Sequence, residues 1–375
     1  MEKRLNHKKV KITHVFKSAY PKIGGVESVI TQINNSLPNE DFEKEVLCCS
    51  NTHKSSFENG VQYNRARYLF DLYKNPISLS FLWKLSKVKT DILHYHMPYI
   101  FAVICHFIAR PKYKKLYITY HAELCGYEKI MKYFSWLYKY FYKIADRIHI
   151  LSPNVIYSDK ILTPFKDKCH VLPYGVDINV NETYQPNDIK EKYKYNKILL
   201  CSGRLVRFKG FKYVIESMKQ VDNAILLIMG DGEQRTLLEE QILENNLQDK
   251  VILLGEIRDK KYKNELFEAC DIFILPSIQR NESFAIVQLE AMRHGKPVIN
   301  TNLGTGVNYV SIDKETGITV EPKNIEQLTS AINELVSNEE LRLQYGRNAK
   351  KRVEKVFDIK KIKNNYQYLY KELYS

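Results

Sequence analysis

A chain of 375 residues is too long for one ordinary hydrophobic core and suits two domains of moderate size. Its formal charge of +14 calls for anionic partners, a nucleotide, an anionic lipid surface or nucleic acid; without a recognisable binding motif or a concentrated Lys/Arg run, nucleic acid is set aside. The seven cysteines are odd in number, with no CxxC pair and no close histidine spacing, which favours a reduced, cytosolic compartment over a disulfide framework or zinc.

The amino terminus, MEKRLNHKKVKITHVF, is basic and has no apolar signal-peptide core, so export is not expected. A first strand near Val10 to Phe16 leads into a loop where Gly24 and Gly25 precede a helix carrying Val29, Ile30 and Ile33. A glycine pair there lets backbone amides approach an anion, and it equally makes a simple turn. EVLCCS, DILHYH, KLYITYHAE and RIHILS read as further strands. His94 and His96 share one strand face at i, i+2 but have no evident third metal ligand, while His121 follows a strand, where a lone histidine is ordinarily structural. The longest apolar run, Tyr99 to Ala109, falls well short of the ~20 residues that span a bilayer. Downstream, Ile130, Phe134, Leu137, Phe141 and Ile144 recur at helical spacing with Lys129, Lys132, Lys139 and Lys143 between them. That pattern gives a core-facing helix, and its Tyr, Trp and Lys content also fits a helix lying on anionic lipid beside the basic stretch Arg110 to Lys115. After VLPYGVD the apolar pattern breaks into a linker between about Gly175 and Lys197.

Strand and helix then alternate again through KILLCSG, AILLIMGDGEQ, KVILLGEIRD, DIFILPS and KPVINTNLGTG, a pattern of parallel α/β layers. Arg204 and Lys209 sit where the first of these strands leaves for a helix, at the carboxyl edge where open parallel sheets hold ligands. Gly230 and Gly232, and then Gly255, Glu256 and Ile257, end the next two strands on the same side, with an ordinary tight turn as the alternative. In residues 271–299 a buried strand from Asp271 to Leu275 ends at Pro276, and a helix runs from near Ser283 to Gly295. Glu282 then lies at the helix mouth and Glu290 about two turns inside, a separation of roughly 12 Å that suits the two ends of a nucleoside diphosphate sugar. The diphosphate between those ends fits a helix N-terminus, with its free N–H groups. A last helix spans roughly Ile359 to Leu373.

The stretch SGRLVRFKG and the spaced glutamates Glu282 and Glu290 together resemble the retaining glycosyltransferases of family 4. The resemblance implies a GT-B fold, two Rossmann-like domains with parallel sheets facing across a cleft. Residues 1–178 would bind the acceptor, 179–356 the nucleotide sugar, and 357–375 would cross back to the first domain. It also implies roles. Arg204 and Lys209 would stabilise the leaving diphosphate, Glu282 would bond donor-sugar hydroxyls, and Glu290 the ribose. The amides of Ser283, Phe284 and Ala285 would hold sugar and phosphate, Gly25 would face the distal phosphate, Gly230, Gly232, Glu256 and Ile257 would border base and diphosphate, and His121 would aim at the sugar. The family usually has glycine where Ala285 stands and small residues at Arg293 and His294. No DxD motif occurs, so neither a metal nor another cofactor is expected. The implied reaction moves a hexose, mannose or an N-acetylhexosamine, from a GDP- or UDP-linked donor to a lipid-linked saccharide in O-antigen, capsule or exopolysaccharide assembly. It would take place at the cytoplasmic membrane face. A non-catalytic sugar-nucleotide-binding protein could keep the same residues.

Overall fold

The computed structural model describes residues 9–22, 24–72, 75–122, 128–179, 186–193 and 197–374. It divides into two compact units, Met1–Tyr174 with Lys360–Ser375, and Gly175–Ile359.

The first unit is built on strands β1 (Val10–Val15), β2 (Phe42–Cys49), β3 (Ser56–Glu58) and β4 (Val61–Ala66), the small hairpin β5 (Phe70–Leu72) and β6 (Asn75–Ile77), then β7 (Lys89–Met97), β8 (Lys112–Tyr120), β9 (Arg147–Ile150) and β10 (Cys169–Val171). Eight of them form one sheet in the order β10-β9-β8-β7-β1-β2-β4-β3, parallel except for β3. Its helices are α1 (Gly25–Ser36), α2 (Leu79–Ser86), α3 (Ile100–Ala109), α4 (Glu128–Ile144) and α5 (Asn154–Ser158). Because side chains alternate across a strand, the central strands present two different faces. One is apolar, with Val15, Leu93, Tyr95, Leu116, Ile118 and Ile148 buried against α2, α3 and α4. The other carries His14, His94, His96, Tyr117, Thr119 and His149, all fully buried or nearly so.

The second unit holds α6 (Pro186–Tyr193), β11 (Lys197–Ser202), α7 (Phe211–Ser217), β12 (Ala224–Met229), α8 (Arg235–Glu244), β13 (Val251–Gly255), α9 (Lys260–Ala269), β14 (Ile272–Leu275), α10 (Ile286–Arg293), β15 (Val298–Thr301), α11 (Gly306–Val310), β16 (Gly317–Val320), α12 (Ile325–Ser337) and α13 (Glu339–Val356). Its six strands are parallel in the order β13-β12-β11-β14-β15-β16. The runs AILLIM and IFIL are buried throughout, as strands covered on both faces must be. The chain winds outward from β11 to β13, then returns to the far side of β11 with β14, which places a topological switch point between β11 and β14. The last helix, α14 (Ile359–Tyr374), returns to the first unit, where Tyr366 and Tyr370 cover the histidine face of the sheet.

The six described cysteines are all free thiols. Among the described residues no helix is long and apolar enough to cross a membrane.

Candidate functional site

The loops that leave β11 and β14 meet at the switch point. After β11 ends at Ser202, a short 3-10 turn over Arg207–Lys209 sets Lys209 beside Glu282, with Nζ 2.5 Å from Oε2. Both side chains are largely buried. Ser277 donates its hydroxyl to the same carboxylate oxygen at 3.0 Å, and Thr305 donates to the Glu282 carbonyl at 2.8 Å. Glu282 is therefore held by its side chain and its backbone. Arg204 is exposed on the same loop.

The glycine loops have a packing reason. At Gly230, φ is +134°, and a Cβ there would run into the Gly203 carbonyl; at Gly232 it would lie 2.5 Å from the Leu205 carbonyl. The loops after β11 and β12 thus touch backbone to backbone, joined by Leu205 N–H donating to the Asp231 carbonyl at 2.9 Å. Gly230 N–H donates to the Gly255 carbonyl at 2.8 Å, which adds the loop after β13. Glu256 pairs with Arg258 at 2.8 Å in the open, and Ile257 is half-buried.

One expectation needs correction here. The helix does not begin near Ser283; α10 starts at Ile286 because Ala285 has φ +57° and ψ +71°, a left-handed turn that no continuing right-handed helix contains. Ser283 and Phe284 belong to the loop before it, Phe284 being buried. Glu290 lies one turn inside α10, so its spacing from Glu282 is not a helical rise. Its carboxylate takes both contacts from Lys263 of α9, at 2.7 and 2.9 Å. Sequence reading missed Lys263, since its only signal is an isolated cation within a charged stretch.

Arg293 and His294, the bulky departures, have structural work of their own. Arg293 donates to the Asp177 carbonyl at 2.9 Å and to Asn264, and His294 Nδ1 lies 2.7 Å from Glu268.

In the first unit, Gly24 is the N-cap of α1 and Gly25 its first residue. Ser18 donates its hydroxyl to the Glu27 carboxylate, which folds back over the position a Gly24 Cβ would occupy, while a Cβ at Gly25 would meet open space. His121 is 3 % exposed, and both its ring nitrogens have partners, Nε2 with His96 Nδ1 at 2.8 Å and Nδ1 with the Tyr174 hydroxyl. The histidine pair on β7 does have a third neighbour, His14 of β1, brought across by the register His14 to His94; one nitrogen from each ring lies within 4.8 Å of the others. Five of the six ring nitrogens are hydrogen-bonded within the protein, leaving His14 Nε2 without a partner among the described residues. Burial holds these rings neutral, pushing His14 down to about 3 and His94, His96 and His121 well below the usual range.

The basic stretch is less available than its sequence suggests. Lys114 pairs with Asp91 at 2.8 Å and Lys115 with Asp146 at 3.7 Å. On α4, Leu137 and Phe141 face the core, while Tyr133, Trp136 and Tyr140 are exposed beside Lys139 and Lys143. The side chains of Lys129, Ile130 and Lys132 lie outside the described residues. On α2, Leu79 and Trp83 are exposed too.

Two α/β units, each on a mainly parallel sheet, make up the GT-B fold. The sucrose-phosphate synthase of Thermosynechococcus elongatus shares the fold with a TM-score of 0.80 at 19% identity, over 98% of this chain and 99% of that one. Residues 23–180 match the model of Glycosyltransferase Family 4 and residues 185–352 that of Glycosyl transferases group 1. The chain belongs to glycosyltransferase family 4. It is 29% identical to O-antigen chain mannosyltransferase C of Escherichia coli over 97% of this chain and 99% of that protein. It is 27% identical to the UDP-Gal:alpha-D-GlcNAc-diphosphoundecaprenol alpha-1,3-galactosyltransferase of Escherichia coli, over 94% and 97%.

Proposed function

We propose that this glycosyltransferase moves a hexose, with retention at the anomeric carbon, from a nucleotide sugar to a lipid-linked saccharide in bacterial surface-polysaccharide assembly. The observation that carries the reading is the Lys209–Glu282 pair at the β11/β14 switch point, with Arg204 on the same loop. Mannose is the first choice of sugar, from the likeness to the mannosyltransferase, and the galactosyltransferase's diphosphoundecaprenol substrate supports a lipid-linked acceptor.

Bond cleavage builds negative charge on the departing diphosphate, and fixed cations there lower the barrier. Arg204 offers a fork of donors and Lys209 a point charge, so no metal ion is required. As Lys209 turns to the diphosphate, the Glu282 carboxylate becomes available to the sugar hydroxyls, and Glu290, held by Lys263, keeps lone pairs for the ribose. The acceptor hydroxyl attacks on the face the diphosphate leaves, forming the new C–O bond as the old one breaks, and its proton passes to the departing phosphate oxygen. The family resemblance assigns His121 to the donor sugar.

The enzyme works at the cytoplasmic membrane face, docking on anionic lipid through the exposed aromatics of α4 and their lysines. A panel of GDP- and UDP-sugars with lipid-linked acceptors tests the reading, in buffer with and without EDTA. Transfer from one donor, undiminished by EDTA, is the expected result. Donor binding without turnover on any acceptor would leave a binding protein instead.

A further inference from the structure

Three rings in the first unit, His14, His96 and His121, are joined end to end. His14 Nδ1 lies 2.9 Å from His96 Nε2, His96 Nδ1 lies 2.8 Å from His121 Nε2, and His121 Nδ1 bonds the Tyr174 hydroxyl. The three imidazoles are at most 3 % exposed and Tyr174 is 5 % exposed. A neutral imidazole carries one N–H and one bare nitrogen, so in such a chain each ring's tautomer dictates the next. Only two proton arrangements satisfy every internal link. In one, each ring is protonated on Nδ1 and donates toward Tyr174, leaving His14 Nε2 as a bare acceptor. In the other, each ring is protonated on Nε2, and His14 Nε2–H is a buried donor with no acceptor among the described residues. The first arrangement turns the Tyr174 O–H away from His121, but Tyr174 at 5 % exposure is less enclosed than His14 at 0 %. A fully buried N–H without a partner is the costlier orphan, so the first arrangement wins.

We infer that His14, His96 and Tyr174 form a tautomer-locking relay in which His96 and Tyr174 are positioning residues for His121, holding it as the Nδ1–H form in one ring orientation. This rests on the reading of His121 as part of the donor-sugar pocket. The relay explains why a pocket residue has both nitrogens engaged: His121 contributes a fixed shape and dipole and exchanges no proton during transfer. His94 stands apart from it, tied instead to Tyr370 at 2.6 Å and Thr119 at 2.7 Å beneath α14.

Tyr174→Phe removes one hydroxyl and keeps the ring. His96→Leu removes both links, whereas His96→Asn puts an amide group where Nδ1 stood and keeps the link to His121. Long-range nitrogen-15 spectra of the full chain should report His121 as Nδ1–H in the parent and a mixture of tautomers in Tyr174→Phe. Turnover should fall on the order of tenfold in His96→Leu and several-fold in Tyr174→Phe, with donor KM within about twofold, and His96→Asn should recover most of it. If His96→Leu does not fold, Tyr174→Phe decides. An Nε2–H His121 in the parent, or parent turnover and tautomer in Tyr174→Phe, overturns the relay. His121→Ala with full transfer would instead overturn the pocket reading beneath it, while the spectra would still judge the relay.

Discussion

Ala285 shows how one residue changes meaning between sequence and structure. In the sequence it was only a departure from the family's usual glycine; in the structure it is a left-handed residue, φ +57°, at the mouth of α10. Left-handed backbone costs an L-residue about 1–2 kcal/mol, and glycine gives back roughly 0.5–1 kcal/mol in lost chain entropy. Ala285→Gly should therefore stabilise the second unit by about 0.5–1 kcal/mol, visible as a raised midpoint in thermal unfolding; a lower midpoint would mean the methyl group packs usefully. The Lys209–Glu282 pair makes a second residue-scale prediction. Glu282→Gln keeps an acceptor for Ser277 but removes the charge Lys209 faces, so transfer should fall at least tenfold with the fold intact. Because the two side chains touch, Lys209→Met combined with Glu282→Gln should cost less in stability than the two single changes summed. Strict additivity in denaturant titrations would show that the pair is not coupled. Glu290→Gln should weaken nucleotide binding by on the order of 1.5–3 kcal/mol, one charge-assisted hydrogen bond, as read by calorimetric titration.

Among elements, those with a continuous apolar run were legible: β12 and β14 lie within AILLIMGDGEQ and DIFILPS because strands buried on both faces admit little else. The small strands β3, β5 and β6 escaped, since SFE, FDL and NPI are only three residues long, too short to show a period of two, and their pairing is set by a turn or a neighbouring strand. The start of α10 was misplaced because a left-handed Ala leaves no mark in composition. His94 and His96 were legible as one face of one strand, but His14 joins them only through the β1/β7 register, which no local pattern encodes. Exposure was equally invisible. Within the stretch read as basic, Lys114 and Lys115 are paired with Asp91 and Asp146, and exposed aromatic surface lies instead on the Tyr133, Trp136, Tyr140 stripe of α4. Trp136, at 66 % exposure, takes little part in the core, so Trp136→Ser should fold normally and cosediment less with anionic vesicles. The residual binding should weaken with salt, as lysines near such a surface contribute about 1 kcal/mol each. Unchanged cosedimentation would leave this face as ordinary solvated surface.

On the scale of the whole molecule, the two units differ in how they meet acid. Six described histidines of the first unit are buried with lowered pKa: His14 at about 3, His106 and His149 at about 4, and His94, His96 and His121 well below 6.5. Desolvation is the leading cause in every case, because these rings are buried on or beside the sheet. The second unit has a single histidine, His294, whose pKa is also lowered by burial. The sign follows from proton counting. Between the unfolded pKa near 6.5 and the lower folded values, the unfolded chain binds more protons, so stability rises with pH across that window. The contribution is complete above about pH 6.5 and is lost progressively on acidification toward pH 4, by up to about 1.4 kcal/mol per pH unit for each ring fully charged only when unfolded. Several rings act in the same direction on the 5–15 kcal/mol on which a folded domain ordinarily rests. Between pH 7 and pH 5 the first unit should therefore lose protection before the second. Peptide-resolved hydrogen exchange, corrected for intrinsic rate, should show β1, β7, β8 and α14 opening while β11, β12 and β14 stay closed. The β7 substitution His94→Gln, which keeps polar contacts without a titrating ring, should flatten the pH slope of the first unit; parallel loss in both units, or an unchanged slope in that variant, would place the acid sensitivity elsewhere.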